Sequence, residues 1–97
     1  MAFVRRLIWD AWNVAHIARH QVIPEEVEQA CHTAPETLTG KKGRIILIGP
    51  TSARRMIAVV LESVGRSVFY PVTARAASRK ERRYYQEQQA QKGGKPT

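Results

Sequence analysis

The stretch Val72-Thr-Ala-Arg-Ala-Ala-Ser-Arg-Lys-Glu-Arg-Arg-Tyr-Tyr85 decides the organisation of this chain. It opens as the end of an apolar, β-branched run, turns at Ala76-Ala77 and continues into a strongly basic segment. Ser78 and Glu81 stand three residues apart, which is the spacing of a capping box at the start of a helix. We therefore predict a strand, a turn and a basic C-terminal helix that begins directly after Ser78.

Cations crowd the first turns of this helix. Arg79 and Arg83 are one turn apart and repel each other, and Arg79 and Lys80 stand at a helix N-terminus, whose partial charge is positive. A phosphate would reverse the sign of each of these interactions. A solvated basic face is the alternative. Because Arg75 adds a guanidinium at the end of the preceding strand, we favour a phosphate-binding corner where Arg75, Arg79 and Arg82 converge.

Length and charge limit the classes of protein to which this chain can belong. The 97 residues suit one domain, predicted at residues 1–90, followed by a disordered tail at 91–97. Residues 1–40 hold three basic and five acidic side chains, whereas residues 41–97 hold thirteen basic and three acidic ones. A basic half of this kind is typical of a nucleic-acid-binding protein and would also suit an acidic protein partner.

The single cysteine, Cys31, excludes an intrachain disulfide and fits a reducing compartment. Cys31 and His32 are adjacent and would point in different directions on a helix, so we do not interpret them as a catalytic pair. The sequence shows no apolar run long enough to span a bilayer and no signal-peptide core. We expect a soluble, cytoplasmic protein without a membrane partner.

The N-terminal part of the chain predicts two helices. Arg6–Trp9 is short and apolar and can form an extra first strand, and Asp10 can cap a helix over Ala11–His20. Pro24 suits the first position of a second helix, which ends by Pro35. In the first helix, the spacing predicts an inward face made of Ala11, Val14, Ala15 and Ala18. It places Asn13, His16 and His20 on the opposite side of that helix. In the second helix, it predicts that Val27, Ala30 and Cys31 face inward.

The following part predicts a sheet. Three apolar runs indicate an antiparallel three-strand meander: Arg44–Gly49, Met56–Glu62 and Ser67–Ala74. We expect a loop at Thr37–Lys42 and a hairpin turn at Ser63–Arg66. Pro71 cannot donate to a neighbouring strand and requires either a sheet edge or a bulge. The predicted class is thus α+β, with two N-terminal helices packed on a small antiparallel sheet and a basic C-terminal helix.

Several of these residues resemble the BrnT family. The resemblance rests on Trp9-Asp10, Asn13, Arg19-His20, Pro24-Glu-Glu-Val27, Arg44, Ile48-Gly49, Val59-Val60 and, above all, Thr73-Ala-Arg75-x-x-Ser78-Arg-x-Glu81-Arg-x-x-Tyr85. BrnT proteins are ribonuclease toxins of bacterial type II toxin–antitoxin modules with a RelE-like fold. The resemblance implies RNA cleavage that inhibits translation without a metal or cofactor, and a hetero-oligomer with a small DNA-binding antitoxin.

Metal-free RNA cleavage needs a base for the 2′-hydroxyl, cations for the phosphorane and an acid for the leaving oxygen. Arg75, Arg79 and Arg82 are the candidate charge stabilisers, because a guanidinium binds phosphate oxygens with two parallel hydrogen bonds. His20 is the candidate base or acid, because an imidazole titrates near neutral pH. A surface histidine that closes the first helix is the alternative for His20.

Glu81 and Tyr85 are two further candidate site residues, and each could instead have a purely structural role. Glu81 can act as a general base or serve only the capping box, and Tyr85 can contact RNA or the core. His16 and His20 have the spacing of a zinc pair, but no third ligand is placed beside them, so we predict no metal site. Exposed cations could follow an RNA backbone or simply be solvated: Lys41, Lys42, Arg44, Arg54, Arg55, Lys80 and Arg83.

Two functions from different classes therefore remain open at this level. One is an RNA-cleaving toxin that an antitoxin neutralises. The other is a non-catalytic module of the same fold that binds nucleic acid or a protein partner.

Overall fold

The computed structural model describes residues 4–93, which form three α-helices and one five-stranded sheet. The strands are β1 Arg6–Leu7, β2 Glu36–Thr39, β3 Ile45–Pro50, β4 Met56–Gly65 and β5 Val68–Ala76, and the helices are α1 Ala11–Ala18, α2 Pro24–Cys31 and α3 Arg79–Gly93. The sheet order is β1-β5-β4-β3-β2. The predicted α+β class is confirmed.

The sheet is larger than the predicted three-strand meander. Strands β3, β4 and β5 form that meander, and the extra first strand suggested at Arg6–Trp9 is present as β1, parallel to β5 at one edge. Strand β2 adds an antiparallel strand at the other edge. The predicted loop at Thr37–Lys42 was wrong, because Glu36–Thr39 pairs with β3 and only Lys41–Gly43 forms a 3-10 turn. A short edge strand carries little signal of its own, since its identity depends on the neighbour that it pairs with.

The β4–β5 hairpin contains the irregularity that Pro71 requires. Thr73 pairs with Val60 and Pro71 pairs with Leu61, so Val72 is an extra residue and the bulge, one of the two predicted alternatives, is present. The predicted turn at Ser63–Arg66 was wrong, because β4 runs to Gly65 and the turn lies at residues 66–67. Strand β5 begins at Val68 and ends at Ala76, each later than predicted.

Helices α1 and α2 cover one face of the sheet and enclose the larger apolar core. Val27, Ala30 and Cys31 of α2 are buried there, as predicted. The helix approaches β3 so closely that a Cβ atom on Gly49 would lie 2.8 Å from the Ala30 carbonyl oxygen. Only a residue without a side chain fits at that crossing.

The predicted inward face of α1 was wrong. Asn13 and Ile17 are its buried residues, whereas Val14 is exposed. Asn13 faces inward because its side chain makes buried hydrogen bonds. Its amide nitrogen donates to the Ile8 oxygen at 3.0 Å and to the Pro71 oxygen at 3.1 Å. The Asn13 side chain also accepts from the Asp10 N–H at 2.9 Å and completes a capping box.

Helix α3 covers part of the opposite face. Tyr84 and Tyr85 pack there with a second, smaller cluster that contains Ile48 and Ala58. The helix runs to Gly93, so residues 91–93 of the predicted tail are helical. Residues 94–97 of that tail lie outside the described residues.

Candidate functional site

The predicted capping box closes the junction between β5 and α3. Glu81 Oε1 accepts from the Ser78 N–H at 2.8 Å, and Ser78 Oγ accepts from the Glu81 N–H at 3.1 Å. Two helix-end donors are thereby satisfied, and α3 begins at Arg79 as predicted.

The same glutamate holds Arg75. The Arg75 Nη1 and Nη2 atoms donate to Glu81 Oε1 and Oε2 at 2.7 and 2.8 Å, and Nη1 also donates to the Ala76 oxygen at 3.3 Å. The hydrogen bond from Arg75 is the largest cause that lowers the pKa of Glu81 from 4.5 to about 2. A carboxylate with that pKa is a poor proton acceptor at neutral pH, and the contacts of Glu81 are those of the capping box and the ion pair.

One edge of the Arg75 guanidinium stays available. The group has five N–H donors, and within residues 4–93 its Nε–H and the second Nη2–H have no partner. The side chain is 43% exposed, against 14% for Glu81. Since these two N–H groups are parallel and adjacent, this edge can bind two phosphate oxygens while Glu81 fixes its orientation.

Arg79 and Arg82 make no contact with Arg75 among the described residues, and their predicted convergence on one phosphate stays a prediction. Arg82 Nη1 donates to the Ala77 oxygen at 2.8 Å, and Arg79 is exposed with no side-chain partner among the described residues. Helical spacing puts Arg82 on the flank of Tyr85, whereas Lys80 lies on the flank of Tyr84. The structure thus brings Arg75 together with Glu81, and it separates Arg82 from Lys80.

Tyr85 has a structural role. Its hydroxyl donates to the Ala34 oxygen at 3.1 Å, its ring packs with the smaller cluster, and burial raises its pKa. Tyr84 is the corresponding anchor on the other flank of α3, with its hydroxyl on the Thr37 oxygen at 3.0 Å. Both tyrosines therefore fix α3 across β2 and β3, which is the core-contact alternative for Tyr85.

A groove lies beside α3 on the same face of the sheet. Val60 and Ile46 occupy one row of neighbouring strands and form its floor, with Lys41 and Arg44 at its rim and a volume of about 260 Å³. Arg44 Nη2 makes a long ion pair with Glu62 at 3.4 Å. Tyr84 contacts Thr37 of β2, so we infer that the side of α3 that carries Tyr84 faces this groove. Lys80 lies one turn before Tyr84 on the same side of the helix.

The remaining predicted cations divide into two kinds. Arg55 bridges inward, donating to Glu26 at 3.2 Å and to the Gln21 oxygen at 2.7 Å. A second set is exposed and, within the part of the chain that is described, has no side-chain partner: Lys42, Arg54, Lys80 and Arg83. Arg55 is therefore a structural bridge, and the exposed set can reach a ligand.

His20 lies away from Arg75. It follows α1, which packs on the sheet face opposite to α3, and within residues 4–93 no contact joins the two side chains. Its ring instead makes an edge contact with the His16 ring, with centroids 5.8 Å apart. The candidate base and the candidate phosphate clamp are thus on different faces.

The fold has a counterpart among solved structures. The ribonuclease toxin BrnT of Brucella abortus superimposes with a TM-score of 0.62 at 25% sequence identity, covering 76% of this chain and 97% of that chain. The fold is similar to that of a ribonuclease toxin. No family model and no curated protein matches the sequence. The likeness supports the expected BrnT-like fold, while the finer RelE-like assignment stays a prediction.

The described residues give little support for a cysteine nucleophile or a metal site. Burial, with a smaller effect of Glu28, raises the pKa of the Cys31 thiol to about 12, so it is not a nucleophile at neutral pH. Residues 4–93 contain no cluster of three or more His, Cys, Asp or Glu side chains suited to a metal ion. Within the same range, no helix combines the length and apolar character needed to cross a membrane.

Sequence reasoning missed an aromatic surface on α1. Trp12 is 57% exposed and stacks on His16 with ring centroids 4.8 Å apart and an angle of 8° between the planes. The signal was present in the sequence, because Trp12, His16 and His20 follow one another at intervals of four residues on one side of a helix.

Proposed function

We propose that this protein is a ribonuclease toxin of a type II toxin–antitoxin module, with a RelE-like fold, which cleaves RNA without a metal and inhibits translation in the cytoplasm. The likeness to the Brucella abortus ribonuclease toxin, which extends over nearly all of that chain, carries the proposal. The site residues of the proposal are the Arg75 guanidinium and the exposed cations around it. The proposed protein partner is a small DNA-binding antitoxin.

Arg75 is the proposed phosphate clamp. Its free Nε–Nη2 edge would hold two oxygens of the scissile phosphodiester, and Glu81 keeps the guanidinium plane fixed through two short hydrogen bonds. A group that is already oriented loses little conformational entropy when the phosphorane forms. Glu81 is thus a positioning residue, and its own negative charge is neutralised by the pair.

The cations around the groove would guide the RNA backbone to this clamp. Lys80 on α3 and Lys41 and Arg44 at the rim stand on either side of an apolar floor. Arg79 and Arg83 extend the positive surface along the exposed side of α3. An electrostatic approach of this kind raises the local concentration of a polyanion before any specific contact forms.

In this proposal the 2′-oxygen attacks the phosphorus and the bond to the 5′-oxygen breaks, with solvent water taking the 2′-hydroxyl proton and giving a proton to the leaving 5′-oxygen. Arg75 stabilises the phosphorane electrostatically, which is usually the largest single contribution to catalysis. His20 stands on the other face of the sheet and is not assigned to proton transfer at this phosphate. Substituting His20 with alanine should therefore leave the cleavage of a short RNA close to the wild-type rate.

The test compares three arginine variants by two measurements. The first is bacterial growth after expression of each variant is induced, and the second is the rate at which the purified variant cleaves single-stranded RNA. Arg75→Ala should restore growth and lower the cleavage rate by about 100-fold, the scale expected for one lost transition-state donor. Arg75→Lys should fail similarly, because an ammonium cannot supply two parallel N–H groups. Arg66→Ala, which removes an exposed cation at the β4–β5 turn, is the matched control and should behave like the wild type.

A non-catalytic binding module is the second candidate function. The observation that favours it is that, among the described residues, no imidazole contacts Arg75, and His20 follows a helix on the other face of the sheet. If wild type and Arg75→Ala grow alike and leave RNA intact, while purified wild type still binds RNA, the toxin proposal fails and the binding module replaces it.

A further inference from the structure

The exposed side of α1 carries a large aromatic surface that the fold does not use. Trp12 leaves 57% of its surface in water, and tryptophan is a residue type that is enriched at binding interfaces. Its ring lies nearly parallel to the His16 ring, with the centroids 4.8 Å apart. One face of the indole is therefore covered by an imidazole, and the other is presented to a ligand.

The surroundings of Trp12 form a shallow, open groove along α1. Ala11 and Ala15 have small side chains beside the two rings and, together with Arg19, line this groove. A flat aromatic group would fit against Trp12, with the Arg19 guanidinium within the same groove.

The charge of this surface favours an anionic ligand. Arg19 lines the groove and is exposed. The carboxylate nearest in sequence, Asp10, is engaged by the Asn13 N–H at 2.9 Å and by the Tyr70 hydroxyl at 3.0 and 3.1 Å. A ligand that combines a planar aromatic ring with a phosphate has the complementary chemistry.

A chain of contacts also connects α1 to the start of the basic helix. Helix α1 begins beside Pro71 of β5, and its C-terminal turn contacts Arg55, whose Nη2 donates to the His20 oxygen at 3.4 Å. The next residue, Met56, accepts from the Ala77 N–H directly before α3. The rings of Trp12, His16 and His20 therefore lead towards the end of the sheet where the basic helix starts.

We propose that the Trp12–His16 ring pair is a base-stacking subsite for an unpaired nucleotide of RNA, with Arg19 contacting the adjoining phosphate. The inference rests on the proposed function only in taking single-stranded RNA as the ligand. It adds a specificity surface on the sheet face opposite to Arg75, so that one RNA strand passes around the end of β4 and β5 and contacts both α3 and α1.

The test uses RNA that cannot be cleaved, so that binding is measured independently of catalysis. The probes are a fluorescent 2′-O-methyl oligonucleotide and an otherwise identical strand without bases, each titrated by anisotropy. Stacking on an aromatic side chain should make the wild type bind the base-containing strand about tenfold more tightly. Trp12→Ala should lose this preference, Trp12→Phe should keep part of it, and Val14→Ala, an exposed truncation on the same helix, should match the wild type.

Tryptophan fluorescence gives a second readout that does not depend on truncation. The chain has two tryptophans, so the Trp9→Phe protein reports Trp12 alone. Base-containing RNA should quench this emission, and the base-free strand should not.

Two outcomes overturn the inference, and a third separates it from the proposed function. Equal affinities of wild type and Trp12→Ala for both probes, or an unchanged emission in Trp9→Phe, would show that no base stacks on Trp12. If Trp12→Ala instead binds RNA normally and escapes inhibition by the antitoxin, the surface around Trp12 binds the antitoxin and not RNA. A wild type that cleaves no RNA but keeps the tenfold base preference defeats the proposed function and supports the stacking subsite.

Discussion

At the scale of single residues, the pair formed by Arg75 and Glu81 has two functions. Glu81 closes the capping box of α3 and also fixes a guanidinium of the preceding strand, so one carboxylate organises both the helix start and the candidate clamp. Its exposure is only 14%, but water still reaches the pair through Arg75, which is 43% exposed. Solvent screening therefore reduces what the lowered pKa of Glu81 contributes to stability.

The lowered pKa predicts a pH dependence. Because the folded-state pKa of Glu81 is about 2 and its ordinary value is 4.5, the pair stabilises the fold fully above the ordinary pKa and loses this effect as pH falls towards 2. Glu81→Gln should lower the free energy of unfolding by about 1 kcal/mol at pH 7, and the difference from wild type should vanish near the folded pKa. Urea denaturation at several pH values measures it.

A matched control for this measurement is Glu62→Gln, which removes the exposed partner of Arg44. That variant should show little change at either pH. A Glu81→Gln protein as stable as the wild type at pH 7 would contradict the assigned role of the pair.

At the scale of elements, Asn13 joins α1 to the bulged strand β5. Its amide group satisfies the Pro71 carbonyl at the position where β1 has ended and no strand can pair with it. Asn13 is fully buried, and its partners belong to three separate parts of the chain: the segment after β1, the α1 N-cap and β5. A polar residue thus replaces the apolar contact that the helical spacing suggested.

Asn13→Ala should consequently destabilise the protein by about 3 kcal/mol, since it removes the reciprocal cap and leaves two carbonyl groups without their donor. Thermal and urea unfolding would show a large loss. Val14→Ala, the next residue along the helix and largely solvent-facing, should change the free energy of unfolding by less than about 0.5 kcal/mol. Equal effects of the two substitutions would refute the role given to Asn13.

At the scale of the whole molecule, the charge asymmetry of the sequence becomes a property of the surface. Most acidic side chains of the first forty residues make internal contacts: Asp10 with Tyr70, Glu26 with Arg55, Glu28 with Trp9 and Glu36 with Lys92. The cations of α3 and of the 3-10 turn remain exposed. The described part of the second half therefore presents the excess positive charge of the chain outward.

This distribution predicts a strong salt dependence of RNA binding. If about five phosphates are neutralised, the affinity for a single strand should fall by about 100-fold between roughly 50 and 200 mM salt, because condensed counterions are released on binding. An oligonucleotide with an uncharged backbone is the control and should show almost no dependence. A flat salt profile for the normal RNA would exclude an electrostatic approach along α3.

The sequence by itself determined the local features of this protein. The capping box at Ser78 and Glu81, the start of α2 at Pro24, the three central strands and the bulge at Pro71 all follow from interactions between near neighbours, so their residue types and spacing were sufficient. The candidate arginines were identified for the same reason, because their positions at a strand end and a helix start are local facts.

Tertiary structure alone decided which of these residues meet. Edge strands β1 and β2 exist through the partners that they pair with, and Asn13 is buried because Pro71, 58 positions away, needs a donor. The choice between catalysis and capping for Glu81, the inward bridge made by Arg55 and the separation of His20 from Arg75 likewise depend on contacts between distant segments. Side-chain spacing fixes a helical face only relative to its own axis, and packing against the sheet fixes which way that face points.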